Sequence, residues 1–120
     1  MGKYVDGFVI PIAKDKVEQY KEMAQKACEI WKEHGALEVY ECVGDDLEIP
    51  DMLSFKTIAG TSEDETVIFS WIAYESKEER DRINAAVMED PRLKEDMEKN
   101  KGVFDFKRMA YGGFTTLVEL

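Results

Sequence analysis

The ten residues Glu65-Thr66-Val67-Ile68-Phe69-Ser70-Trp71-Ile72-Ala73-Tyr74 constrain this chain more than any other stretch. No charge falls between Thr66 and Tyr74, and β-branched and aromatic residues dominate. An amphipathic strand would alternate with polar residues, so this run predicts a strand covered on both faces. Such a strand sits at the centre of a sheet, and the rest of the chain has to cover it.

The flanking segments supply the cover. Tyr4 to Ile12 predicts a strand, ended by Pro11, with Tyr4, Asp6, Phe8 and Ile10 on one face and Val5, Gly7 and Val9 on the other. Asp6 is out of place there, because a carboxylate in an apolar strand costs several kcal/mol unless it is paired or protonated. Asp15-Lys16-Val17-Glu18 has capping-box spacing, and the helix it opens carries Val17, Tyr20, Ala24, Ala27, Cys28 and Trp31 on one face. His34-Gly35 closes that helix: glycine suits the left-handed position and histidine the negative end of the dipole. Ala36 to Val43 reads as a second strand, where Glu41 falls on the apolar side with Leu37, Val39 and Val43.

A polar connection, Gly44 to Glu65, follows. It either folds back through Met52, Leu53, Phe55 and Ile58 or forms a lid. Ser76-Lys77-Glu78-Glu79 is a second capping box, and its helix has Ile83, Ala86 and Val87 as an apolar stripe. Asp90-Pro91 stops that helix and can start another turn. Met97 to Phe106 reads as loop. Lys107 to Leu120 reads as the last strand, interrupted at Gly112-Gly113 by a bulge or a close backbone approach.

The order is β-α-β-β-α-β within one domain spanning 1–120: a ferredoxin-like α+β fold, four antiparallel strands with the helices on one face. The other face is left open. Tyr4, Phe8, Phe69, Trp71, Met109 and Tyr111 do not belong in water as one patch, so a homodimer packed through the open sheet face is expected.

Charge narrows the function. Asp and Glu number 26 against 16 Lys and Arg, a net charge of −10, so a phosphate backbone is repelled and no nucleic-acid partner is expected. No apolar run reaches the roughly 18 residues of a membrane span and no leader is evident, so a cytoplasmic protein with no membrane partner is expected. Cys28 and Cys42 sit in periodic apolar segments and behave as small hydrophobes.

Several stretches are familiar together: Tyr4-Val5-Asp6-Gly7-Phe8-Val9, Trp31-Lys32-Glu33-His34-Gly35-Ala36, Glu41-Cys42-Val43-Gly44-Asp45-Asp46, Phe69-Ser70-Trp71, Met88-Glu89-Asp90-Pro91-Arg92 and Phe104 to Phe114. The combination resembles the YbaA-like bacterial family (domain of unknown function 1428) over nearly the whole chain. The resemblance implies the dimeric α+β barrel superfamily and no assigned activity. Other branches of that superfamily include cofactor-free monooxygenases and haem-degrading enzymes, with pockets between sheet and helices.

The candidate site residues follow from what is out of place. His34 is the only histidine, which excludes a multi-histidine metal site within one chain; no metal or cofactor is expected. No Gly-rich phosphate loop and no GxSxG occur. Asp6 has Arg108 as its expected partner, and joint acid–base work with Glu41 would need the two carboxyls close together. Asp6, His34, Glu41, Trp71 and Arg108 are therefore expected around a pocket for a small hydrophobic or aromatic molecule, where proton transfer or cofactor-independent oxygenation suits the groups better than hydrolysis. A different reading is a non-catalytic dimer acting through protein contacts, with the acidic connection as its surface.

Overall fold

Residues 3–120 are described by the structure, a computed structural model. In chain order the elements are Tyr4–Ala13 (β1), Val17–His34 (α1), Glu38–Val43 (β2), Phe55–Ala59 (α2), Glu65–Tyr74 (β3), Lys77–Glu89 (α3), Pro91–Lys99 (α4) and Ala110–Thr115 (β4). The apolar run is indeed interior. It pairs antiparallel with β1 on one side and β2 on the other, and β4 joins the far edge of β1, giving the order β2-β3-β1-β4.

Register fixes the faces. Asp6 lies opposite Ile72 and Gly113, Phe8 opposite Ser70 and Tyr111, and Glu41 opposite Ser70. Alternation then places Tyr4, Asp6, Phe8, Ile10, Val39, Glu41, Ser70, Ile72 and Tyr111 on the face that α1, α3 and α4 cover. Ile10, Ile68 and Ile72 are buried there against Tyr20, Ala24, Ile30, Ile83 and Val87 of the helices. The core forms two clusters, and Phe8 packs against both.

The expected open-face patch is corrected by this register. Phe69 and Trp71 do point outward, but Tyr4, Phe8 and Tyr111 face the helices, and Met109 packs on the cluster of Ile10 and Tyr20. Period-two alternation sorts residues within a strand; only the pairing register says which faces coincide between strands. The outward apolar surface is instead built from Tyr40 (51% exposed), Phe69 (44%) and Phe114 (61%), with Tyr40 stacked on Trp71 at 4.7 Å.

Local chemistry sets most boundaries. The Ser76 hydroxyl accepts from the Glu79 backbone N–H at 3.1 Å, and Asp90 ends α3 while capping α4 through the Arg92 N–H at 2.9 Å. Asp15 does not cap α1. It lies inside a 3₁₀ turn, Lys14–Lys16, and α1 starts without a side-chain cap. Met97 is helical rather than loop, one turn after Leu93 on α4. The long connection after β2 contains α2, whose Phe55 meets Phe69 edge-on at 6.0 Å. It therefore covers one end of the open sheet face and is no lid for the helix side.

Gly112 and Gly113 pair with Gly7 and Asp6 in unbroken register, so the ladder runs through them without a bulge. The need for glycine is a close approach: a Cβ on Gly113 would collide with the Tyr4 hydroxyl and the Arg80 guanidinium. Those two groups belong to the polar cluster described next.

Candidate functional site

A cavity of about 350 Å³ opens between the sheet and the helices, where the two core clusters part. Phe8, Val39 and Ile72 line it from the sheet, Ala24, Ala27 and Trp31 from α1, and Leu93 from α4. Phe104, Phe106 and Met109, from the segment between α4 and β4, complete the wall. Of the chain's six methionines, Met23, Met88, Met97 and Met109 line it; unbranched thioethers re-pack readily around different apolar shapes. A larger groove of about 890 Å³ runs along α1, α4 and β2. Its rim charges, such as Arg92 and Glu33 at 2.6 Å, pair with each other in solvent, so the apolar cavity is the better place for a ligand.

Glu41 is the polar point of that cavity. Strand pairing sets it beside Ser70, and the Tyr20 hydroxyl of α1 donates to its Oε1 at 2.6 Å. By solvent-accessible surface Glu41 counts as exposed, because β2 is an edge strand and the cavity opens beside it; protein atoms nevertheless crowd its carboxyl. Burial pushes the carboxyl above its ordinary 4.5, opposed by hydrogen bonds from Tyr20 and Ser70. Burial also raises the Cys28 thiol to about 11, with the Glu41 charge adding to it, and raises Tyr20 further from neutrality. At neutral pH Tyr20 and Cys28 thus keep their protons, and the Glu41 carboxyl accepts the hydrogen bond from Tyr20.

This shift has a stability consequence with a definite sign. Between pH 4.5 and the folded-state pKa the folded protein binds more protons at Glu41 than the unfolded chain, so the group's contribution falls as pH rises. Glu41→Gln is expected to raise the melting temperature at pH 7.5 relative to its effect at pH 4, by an amount that solvent beside this edge strand reduces. Thermal unfolding of both proteins from pH 4 to pH 8 reads this out; parallel curves would contradict it.

Asp6, the other misplaced acid, is fully buried and lies outside the lining. Its partner is Arg80, not Arg108: Arg80 Nε donates to Oδ1 at 2.9 Å, and the guanidinium lies 4.9 Å from the centre of the Tyr4 ring. Tyr111 donates to Oδ2 at 3.2 Å, and Asn84 Nδ2 reaches it at 3.4 Å. Asn84 Oδ1 in turn accepts from Trp31 Nε1 at 3.0 Å and Tyr74 OH at 3.1 Å. Through Asn84, Tyr111 and Trp31 this network forms part of the cavity wall.

The five residues read from sequence therefore do not gather at one site. Glu41 lines the cavity, and Asp6 stands behind its wall on the same face of the sheet. Trp71 points to the opposite face. His34 Nε2 lies 3.0 Å from Asp90, joining the end of α1 to the start of α4, and Arg92 with His34 holds the Asp90 carboxyl well below the usual range. Arg108 makes a two-pronged pair with Glu65 at 2.7 and 2.8 Å, which takes Glu65 down to about 2. Sequence reasoning missed Asn84 and Arg80. Both occupy the stripe that ends in Val87, Arg80 seven residues before it and Asn84 three, so helical spacing had already turned them toward the sheet.

With this geometry in place, the comparisons with known proteins are informative. Residues 3–106 match the family described as "Protein of unknown function (DUF1428)". The chain belongs to this family. One relative is the uncharacterized protein YbaA of Escherichia coli K12, 46% identical over 117 residues that cover 98% of both chains. Among solved structures, a variant of SnoaB, a cofactor-independent oxygenase from Streptomyces nogalater, aligns over 100% of this chain and 98% of its own at TM-score 0.64 and 9% identity. A dimeric ferredoxin-like protein from an uncultured marine organism aligns over 100% of both chains at TM-score 0.60 and 10% identity. At such identities the likeness carries the fold, which is the ferredoxin-like α+β fold, and no activity. Among the described residues of this DUF1428 member, no helix is long and apolar enough to cross a membrane.

Proposed function

We propose that the protein is a homodimer, paired through its open sheet faces, in which each subunit holds one small apolar molecule between sheet and helices. The observation that carries the ligand half is the cavity of about 350 Å³, walled mainly by aliphatic, aromatic and thioether side chains, with Glu41 the one carboxyl among its described lining residues. That size and composition are those of a small-molecule site. Tyr40, Phe69, Trp71 and Phe114 support the dimer half, since a contiguous aromatic surface on one sheet is self-complementary across a two-fold axis. The dimeric state of the marine protein of like fold points the same way. The chemistry this geometry favours is proton transfer at Glu41, with Tyr20 sharing its proton.

Native mass spectrometry of the protein purified from cells without denaturation tests both halves. The expected species is a dimer carrying one extra small mass per subunit. A bare dimer would overturn the ligand half and leave protein contacts as the function. A bare monomer would overturn the dimer.

A further inference from the structure

We propose that the molecule held in this cavity is an apolar amine, its ammonium group seated on Glu41. The inference rests on the cavity reading above and adds the chemical class of the ligand.

The first reason is an unpaired charge. The other acids singled out by their surroundings each have a cation: Asp6 has Arg80 at 2.9 Å, Asp90 has Arg92 at 2.9 Å, and Glu65 has Arg108 at 2.7 Å. Glu41 takes part in no ion pair among the described residues, although it lines the cavity and its carboxyl has hydroxyl partners only. A half-enclosed carboxylate with only hydroxyl partners leaves room for a cationic one.

The second reason is the lining itself. Among the described residues no Lys, Arg or His lines the cavity, so an anionic ligand would find no counter-charge and would meet Glu41 as a like charge. Aromatic faces, by contrast, attract cations through their quadrupoles. A run of rings starts at the carboxylate: Tyr20 donates to Glu41, Phe104 lies edge-on to Tyr20 at 5.6 Å, and Phe106 follows at 4.7 Å. Glu41 keeps one side toward solvent, so an ammonium seated there retains part of its hydration while its apolar body enters the cavity. The net charge of −10 draws cations toward the protein. With four flexible methionines around the body, selectivity rests on the head group.

The test uses the full chain labelled at its methionine methyl groups and three probes of one shape: 2-phenylethylamine, 2-phenylethanol and 3-phenylpropionate. The methyl signals of Met23, Met88, Met97 and Met109 report the cavity, and Met52, 72% exposed in the connection after β2, is the control. The expected result at pH 7 is saturable shifts at the cavity methyls, with the amine binding about tenfold or more tightly than the alcohol and the carboxylate not binding. A tenfold ratio corresponds to about 1.4 kcal/mol, within the range of one desolvated cation–π or ion-pair contact. In Glu41→Gln the amine and the alcohol should bind alike. Equal affinity of amine and alcohol for the unaltered protein, or preferred binding of the carboxylate, would overturn the ammonium site and leave the apolar cavity standing. If none of the probes moves the cavity methyls, the cavity reading fails and this inference with it.

Discussion

Asp6→Asn is expected to lower the stability of this protein by about 3–5 kcal/mol, the cost of leaving one member of a buried ion pair without its partner. The side chain is fully buried, and the substitution keeps its shape while removing its charge. Arg80, with 18% of its side chain exposed, would then face an amide at 2.9 Å where it now faces a carboxylate. Its second contact, to Asp81 at 2.8 Å, lies on the surface and offsets only part of the loss. Tyr111 and Asn84 also lose a charged acceptor, which is worth more than a neutral one. For a chain of this length the melting temperature should fall on the order of 10–20 °C. Combining Asp6→Asn with Arg80→Met should cost less than the two changes taken separately, because the second removes the stranded charge. Urea unfolding of the four proteins measures this. Additive losses, or a drop below about 1 kcal/mol for Asp6→Asn, would mean that the pair does not hold the sheet to α3.

The same residue shows how far the sequence could be read. Asp6 was legible as an anomaly, because a carboxylate in an apolar alternation needs a reason. Its partner was not, since attention to strand pairing offered Arg108 on the last strand, whereas the cation comes from the first turns of α3. Residue type gives no reason for Arg80 and Asn84 to face the sheet, and only their spacing from Val87 turns them inward. Glu41 was legible in both respects: its anomaly and its face agree with the observed register. The topology was also legible, since one buried strand, two amphipathic helices and chain order leave few alternatives. What alternation could not supply was cross-strand register. That is why Tyr4, Phe8 and Tyr111 were assigned to the outer face, and why the cavity wall of Phe104, Phe106 and Met109 read as loop up to Phe106 and as strand from Lys107, although the strand begins at Ala110. The irregular segment between α4 and β4 has no period to reveal which side chains turn inward.

Trp71→Glu is expected to convert the proposed dimer to monomer, raising the dissociation constant at least about a hundredfold. Trp71 lies on β3, an inner strand, with its ring stacked on Tyr40 at 4.7 Å on the open face. In a two-fold pairing of these faces each copy would bring a carboxylate into an apolar interface that holds its equivalent. Burying unpaired charges costs several kcal/mol, and tenfold in affinity is about 1.4 kcal/mol, so a hundredfold loss is a lower bound. Within one subunit the change is milder, because the residue is only partly covered and the lost stacking is worth about 0.5–1.5 kcal/mol. Sedimentation should therefore show a folded monomer, with helical circular dichroism retained. A variant that stays dimeric at micromolar concentration would place the contact on another face. The cavity is on the opposite side of the sheet, lined by Glu41 and Ile72 where the outer face carries Tyr40 and Trp71. Probe binding at the cavity methionines should accordingly survive in the monomer, and a loss of both together would show that pairing shapes the cavity through the central strands.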